Sequence, residues 1–244
     1  MENNLTFIEA LNYRRSVRLY DKDKEIDTEI VKKCIQQATL APNSSNMQLW
    51  EFHHITSIEI VNKIALACFN QSAAKTAKQL VVVVVRKDLW KQRAKANLSN
   101  LNELYGVKPK SERSSREKFA TNYYKKIMPF VYSEFLGLFG IIKYCFSWIA
   151  GLFKPTYRQL RKSDMRIVAH KSAGLAAQTF MLSMAAKKYD TCPMEGIDSL
   201  RIKKILNLPL SSEINMVISC GIRKPDGVYG ERYRIPFETV YKHW

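Results

Sequence analysis

The chain has 244 residues, 46% of them hydrophobic, and 39 lysines and arginines stand against 22 acidic residues, for a formal charge of +17. That is enough apolar material for a substantial core, read here as one domain, and the charge calls for an anionic partner: a phosphate-bearing cofactor, nucleic acid or an acidic membrane surface. The five cysteines (Cys34, Cys68, Cys145, Cys192 and Cys220) are far apart, with no Cys-x-x-Cys pair and no histidine at zinc-finger spacing, which argues against a disulfide framework or a structural zinc and for reduced thiols.

Met1-Glu2-Asn3-Asn4 lacks the basic and apolar regions of a secretion signal, so a cytoplasmic location is expected. Thr6 can cap a short helix over Phe7–Tyr13, in which Phe7, Ile8 and Leu11 recur at helical spacing. At its exit, Arg14-Arg15-Ser16-Val17-Arg18 crowds three guanidinium groups around a hydroxyl. Such forks match phosphate oxygens two at a time, although a solvated basic face is the blander use of the same residues. Asp27 caps a second helix carrying Ile30, Val31, Cys34, Ile35 and Ala38.

The loop Ala41-Pro42-Asn43-Ser44-Ser45-Asn46-Met47-Gln48-Leu49-Trp50 is rich in short donors and amides and runs into a strand over 51–55. Asn46 and Gln48 offer donor and acceptor atoms that suit a heterocycle with alternating carbonyls and ring nitrogens; an ordinary capped loop is the other reading. Ser57 opens a helix to about residue 69. Residues 79–86 contain an unbroken valine run whose lack of alternation predicts a central strand buried on both faces. Residues 87–126 are polar and helix-prone with a break near 106–109, which predicts two exposed helices or a helix and a lid.

Residues 130–153 hold only two charges, Glu134 and Lys143. The stretch is long enough to cross a bilayer, but a span would part the two halves of the chain that one site needs. The remaining uses are a buried helical hairpin bent around Gly137 and Gly140, an apolar lid or dimer contact, and an interfacial anchor flanked by Lys125, Lys126, Lys154, Arg158 and Arg161, with burial or a lid preferred. Residues 164–189 predict the longest helix, with small residues permitting a close neighbour in the core or at a subunit interface. Residues 191–198 read as a turn, 199–206 as a short helix and 215–222 as a second buried strand.

Taken together, Arg14-Arg15-Ser16-Val17-Arg18, the loop 41–50, Cys192-Pro193-Met194-Glu195-Gly196 and Arg232-Tyr233-Arg234-Ile235-Pro236 closely resemble, in order and spacing, the signature segments of the nitroreductase family of FMN-dependent oxidoreductases. The resemblance implies a single α+β domain over 1–244 with a mixed central β-sheet flanked by helices and an apolar insertion or lid at about 129–154. It also implies a domain-swapped homodimer with two FMN sites at its interface and a C-terminal arm crossing to the partner. NAD(P)H would be the electron donor and a small electron-poor molecule, a nitroaromatic or quinone, the acceptor, in a ping-pong reaction.

By motif position, Arg14, Ser16 and Arg18, with Arg15 beside them, fall at phosphate and ribityl contacts, and Arg232 and Arg234 at further phosphate contacts. Asn46 and Gln48, with Asn43 and Ser45 in the same loop, fall where the flavin is lined from the partner subunit or at its substrate side. Pro193, Met194, Glu195 and Gly196 fall along the flavin ring, and Gln71, next to Asn70, near a further contact. Leu49 stands where the family often has proline, and 130–153 matches no usual segment and lies where the family varies its substrate cover.

The cofactor would carry the redox chemistry, so no catalytic side chain is expected. His53, His54, His170 and His243 form no triad signature or His-Glu-x-x-His, and no Gly-x-Gly-x-x-Gly is present. Two rival readings remain: the same fold with another reaction, dehalogenation or flavin breakdown, and a non-enzymatic binder of nucleic acid or anionic membrane. The absence of any nucleic-acid motif makes nucleic acid an unexpected partner.

Overall fold

The computed structural model describes residues 4–106, 109–135 and 137–244. The first three residues, part of the expected break at 106–109 and one position of the apolar stretch lie outside them.

Strand β2 (Gln79–Val85) is the centre of the molecule. All seven of its residues are buried, as the valine run predicts. Val81, Val83 and Val85 enter one core, while Leu80, Val82 and Val84 enter the other. Each such side chain contributes about 1.5–3 kcal/mol of burial. The neighbours of β2 are β1 (Trp50–Ile55) and β4 (Glu213–Gly221), and β3 (Asp190–Met194) lies outside β4, giving the order β1-β2-β4-β3. The expected mixed sheet is mixed only in a limited sense. All pairings between these strands are antiparallel, and the parallel component is a single bridge between Ser16 and Thr191 on the outer side of β3.

Helices cover both faces. On one, α2 (Thr28–Ala38) and α9 (Lys162–Ala186) supply Cys34, Ala38, Ala173, Ala177 and Phe180; on the other, α3 (Ile58–Ala67), α4 (Ser72–Thr76) and α10 (Ser199–Ile205) supply Val61, Ile64, Ala73 and Ile202. Helix α1 (Phe7–Tyr13) packs on α9 and begins in a reciprocal capping box between Thr6 and Glu9. After β2 come α5 (Trp90–Tyr105), α6 (Ser115–Asn122), α7 (Met128–Tyr132) and α8 (Leu138–Ala150), and the tail holds α11 (Phe237–Val240).

The segment read as a turn at 191–198 begins inside β3. Pro193 gave the turn signal, but it sits in the outermost strand, where a missing N–H facing away from the neighbour costs nothing. The apolar stretch bends at Gly137 into α7 and α8, and among the described residues no helix is long and apolar enough to cross a membrane.

Candidate functional site

The arginines that are furthest apart in sequence meet at the outer edge of the sheet. Where α1 stops, Arg14 donates its backbone N–H to Ala10 and the chain turns extended. Val17 donates to the Thr191 carbonyl at 3.2 Å, and Val17 and Tyr20 are fully buried, which pins the segment against β3. The chain leaving β4 returns alongside: Arg18 N–H donates to Gly227 O at 2.7 Å and Lys224 N–H to Leu19 O at 3.1 Å. A Cβ at Gly227 would land on the Leu19 carbonyl oxygen, so this crossing requires glycine.

Side chains complete the junction. Arg232 donates to the carbonyls of Asn12 at 3.0 Å and Arg14 at 2.6 Å, satisfying free acceptors at the end of α1, and Arg15 donates to Gly230 O at 2.8 Å. The result is a cleft of about 270 Å³ lined by Arg14, Arg15, Ser16, Arg18, Arg232 and Arg234, with Tyr229, Glu231 and Tyr233 at its wall.

Among the described residues no carboxylate pairs with any of these five arginines. Burial, and then repulsion from Arg232, Arg234 and Arg15, pushes the Arg14 pKa down, a tension that a bound anion would relieve. Forked cations around a hydroxyl fit a phosphomonoester. The neighbouring Cys192 thiol is pushed up by burial, against the pull of Arg18 and Arg14, so it stays neutral.

Sequence reasoning missed the group that holds this corner. Asp190, 2% exposed, accepts from the Arg223 backbone N–H and Nε, each at 2.8 Å, and from its Nη2. Arg223 also donates to Tyr13 O at 2.9 Å and stacks 4.3 Å over the Tyr13 ring. It thereby ties α1, β3 and the tail together beside the cleft. No local pattern marks this pair, because its members lie 33 positions apart.

The remaining residues fall into two places. Along the outer edge of β3, the Gln71 amide donates to Gly196 O at 2.8 Å, Pro193 is half-buried, and Glu195 and Gly196 are exposed. Met194 is 2% exposed, its side chain packed in the core with Ile202 and Val217. At Gly196 a Cβ would meet nothing nearer than the Gln71 amide at 3.7 Å, so glycine is not demanded by this chain alone.

Asn43, Ser45, Asn46 and Gln48 are not brought to the cleft. Their loop feeds β1, at the opposite edge of the sheet, about 14 Å away across three strand spacings. It is also at the opposite end: Trp50 pairs with Val85, which pairs with Glu213, whereas Thr191 pairs with Cys220. Ser45, Asn46 and Gln48 all adopt positive φ (55°, 49° and 47°), strain that persists because the loop is over-determined. Gln48 N–H donates to Asn43 Oδ1 at 2.8 Å, Asn46 and Asn97 exchange hydrogen bonds at 2.8 and 2.9 Å, and the Ser45 and Tyr123 hydroxyls lie 2.7 Å apart. Beside this loop, α7, α8 and α9 enclose an apolar cavity of about 390 Å³, lined by Ser45, Tyr123, Met128, Val131, Phe146 and Met165 among others.

A family model described as the nitroreductase family matches residues 11–222. YdgI of Bacillus subtilis (strain 168), named as a proposed NAD(P)H nitroreductase, is 26% identical over 242 residues, covering 96% of this chain and 95% of its own. A crystal structure of a proposed B. subtilis nitroreductase, ydfN, has a TM-score of 0.71 at 23% identity and covers 98% of both chains. Another, from Exiguobacterium sibiricum 255-15 in complex with FMN, has a TM-score of 0.67 at 23% identity and covers 100% of both.

Proposed function

The chain belongs to the nitroreductase family, and from that membership we propose that two copies build each FMN site, one giving the arginine cleft and the other the strained loop. The protein is an FMN-dependent NAD(P)H oxidoreductase, in keeping with its family and with relatives named for that activity. The observation that carries the site assignment is the meeting of Arg14, Arg15 and Arg18 with Arg232 and Arg234 in one cleft, with no carboxylate paired to them among the described residues.

In this reading Arg14, Arg18, Arg232 and Arg234 hold the phosphate, Arg15 and Ser16 reach the ribityl chain, and Gln71 with 193–196 lies along the ring. Asn43, Ser45, Asn46 and Gln48 serve the partner's site, since within one chain they lie at the far corner of the sheet. The tail supports such a pairing. Tyr233, Ile235, Phe237, Tyr241 and Trp244 are all about half exposed or more, an apolar arm that a second copy would cover.

Bound there, FMN supplies two-electron transfer between NAD(P)H and an electron-poor acceptor. The chain's own residues neutralise the phosphate, fix the ring against β3 and exclude water with the partner's loop. They admit donor and acceptor in turn to one face. The apolar cavity beside the hydrogen-bonded Ser45 and Tyr123 hydroxyls suits a flat acceptor, a quinone or nitroaromatic.

Replacing Arg14→Ala together with Arg234→Ala removes two charge-assisted contacts of about 1.5–3 kcal/mol each. The expected protein is folded by circular dichroism and purifies without FMN. Full flavin occupancy in that variant would overturn the phosphate assignment. For the ping-pong order, initial-velocity lines at several acceptor concentrations should be parallel; intersecting lines would contradict it.

A further inference from the structure

Helix α8 is built inside out. Its buried residues are Gly140, Lys143 and Ser147, while Ile142, Phe146 and Ile149 are 56%, 70% and 62% exposed and Ile141 and Trp148 stand out beside them. A helix on a protein's aqueous surface shows the reverse pattern. The exposed apolar face continues through Phe135, Leu138 and Phe139 before the inward turn and through Leu152 and Phe153 after it.

The inward side is locked by polar contacts. Lys143 Nζ donates to the carbonyls of Phe130, Val131 and Ser133 at 3.0, 3.1 and 2.9 Å, capping the C-terminal end of α7, with Glu134 at 3.8 Å. Arg158 donates to Gly151 O at 2.9 Å at the end of α8 and stacks 4.8 Å over Trp148. Gly140 sits so close to the start of α9 that a Cβ would lie 3.1 Å from Arg161 Cα. Rolling the helix to hide its apolar face would strand the Lys143 ammonium away from four oxygens.

Charge says what covers this face. Between residues 123 and 163 the only acid is Glu134, which is held against Lys143. Exposed Lys125, Lys126, Lys154 and Lys162 flank the apolar residues. A second copy meeting this face by two-fold symmetry would set the same cations against one another, whereas anionic headgroups above an acyl layer complement both the rim and the face. Thirteen residues make a helix of about 20 Å, too short to cross a bilayer core of about 30 Å but suited to lying in its surface.

We propose that α8 seats the protein on an anionic lipid bilayer, its apolar face in the acyl boundary and the flanking lysines at lipid phosphates. Phe130 and Phe146 border both this face and the apolar cavity, so the seat brings that cavity to the lipid. The inference stands apart from the FMN assignment, since none of these residues lines the arginine cleft.

The test is sedimentation of the full chain with vesicles of phosphatidylcholine alone or mixed with phosphatidylserine, over a range of salt. Binding to the mixed vesicles that weakens with salt is expected. Ile142→Asp with Ile149→Asp, at exposed positions that leave the fold and flavin content unchanged, should lower partitioning about tenfold or more. Brominated acyl chains should quench Trp148, measured against a Trp148→Phe control. A protein that stays in the supernatant with anionic vesicles would overturn the proposal, as would an aspartate double variant that pellets like the wild type. So would a variant that changes only the oligomer size in gel filtration, the mark of a second copy on this face.

Discussion

Arg14-Arg15-Ser16-Val17-Arg18 suits an oxyanion but alone reads as readily as a solvated basic face, and it takes the three other motifs to favour the phosphate reading. What the residues cannot announce is which distant atoms hold them, and Asp190 is the clearest example. Its carboxylate is almost wholly enclosed and answers Arg223, which reaches on to Tyr13 and so fixes the strand-helix junction that aims the cleft. Removing one member of a buried pair leaves the other charge uncompensated, at a cost of about 3–5 kcal/mol. Asp190→Asn should therefore lower the unfolding free energy measured in urea by about that amount, moving the midpoint down, and weaken FMN binding as the 14–18 segment loosens. An unchanged midpoint would show that the pair does not hold the corner. Asn46 and Gln48 make the converse case: their amides suited a heterocycle in the sequence, but their positive φ values, shared by Ser45, are visible only in the fold.

Among the elements, β2 was legible because a run of valines can be buried on both faces only in the middle of a sheet, α1 and α2 because caps and periodicity agree, and α9 from its spacing of apolar and small residues. Strand β3 was not legible, since Pro193 looks like a turn until the sheet order shows that it lies outermost. Helix α8 was legible as apolar, yet which of its sides faces the rest of the chain was not, because the decisive residue, Lys143, is the one that turns inward. The crossing of the 16–20 segment with the tail gives a test at this scale. Gly227→Ala would press a methyl group onto the Leu19 carbonyl, and forced shifts of this kind cost about 1–3 kcal/mol. A lower melting temperature and a higher FMN dissociation constant should appear together; if neither moves, the crossing has more room than its geometry implies.

At the scale of the whole molecule, the arginine cleft beside β3 and the strained loop before β1 lie at opposite corners of one chain's sheet, and the proposal makes each of them half of an FMN site. The four motifs gave the family and the general fold, but only the strand order separates the halves. Subunits carrying Arg14→Ala and Arg234→Ala, co-expressed with subunits carrying Asn46→Ala and Gln48→Ala, should form mixed dimers with one intact site each. They should recover up to about half of the wild-type FMN content. Mixtures that recover none would place the loop and the cleft in separate roles.

The visible absorption spectrum of the purified protein, taken under anaerobic conditions before and after adding NAD(P)H, is the most direct test that the arginine cleft serves a flavin oxidoreductase. A yellow protein with stoichiometric FMN that bleaches on reduction is the expected result. A colourless protein that takes up no added FMN would contradict it and assign the cleft to another anion.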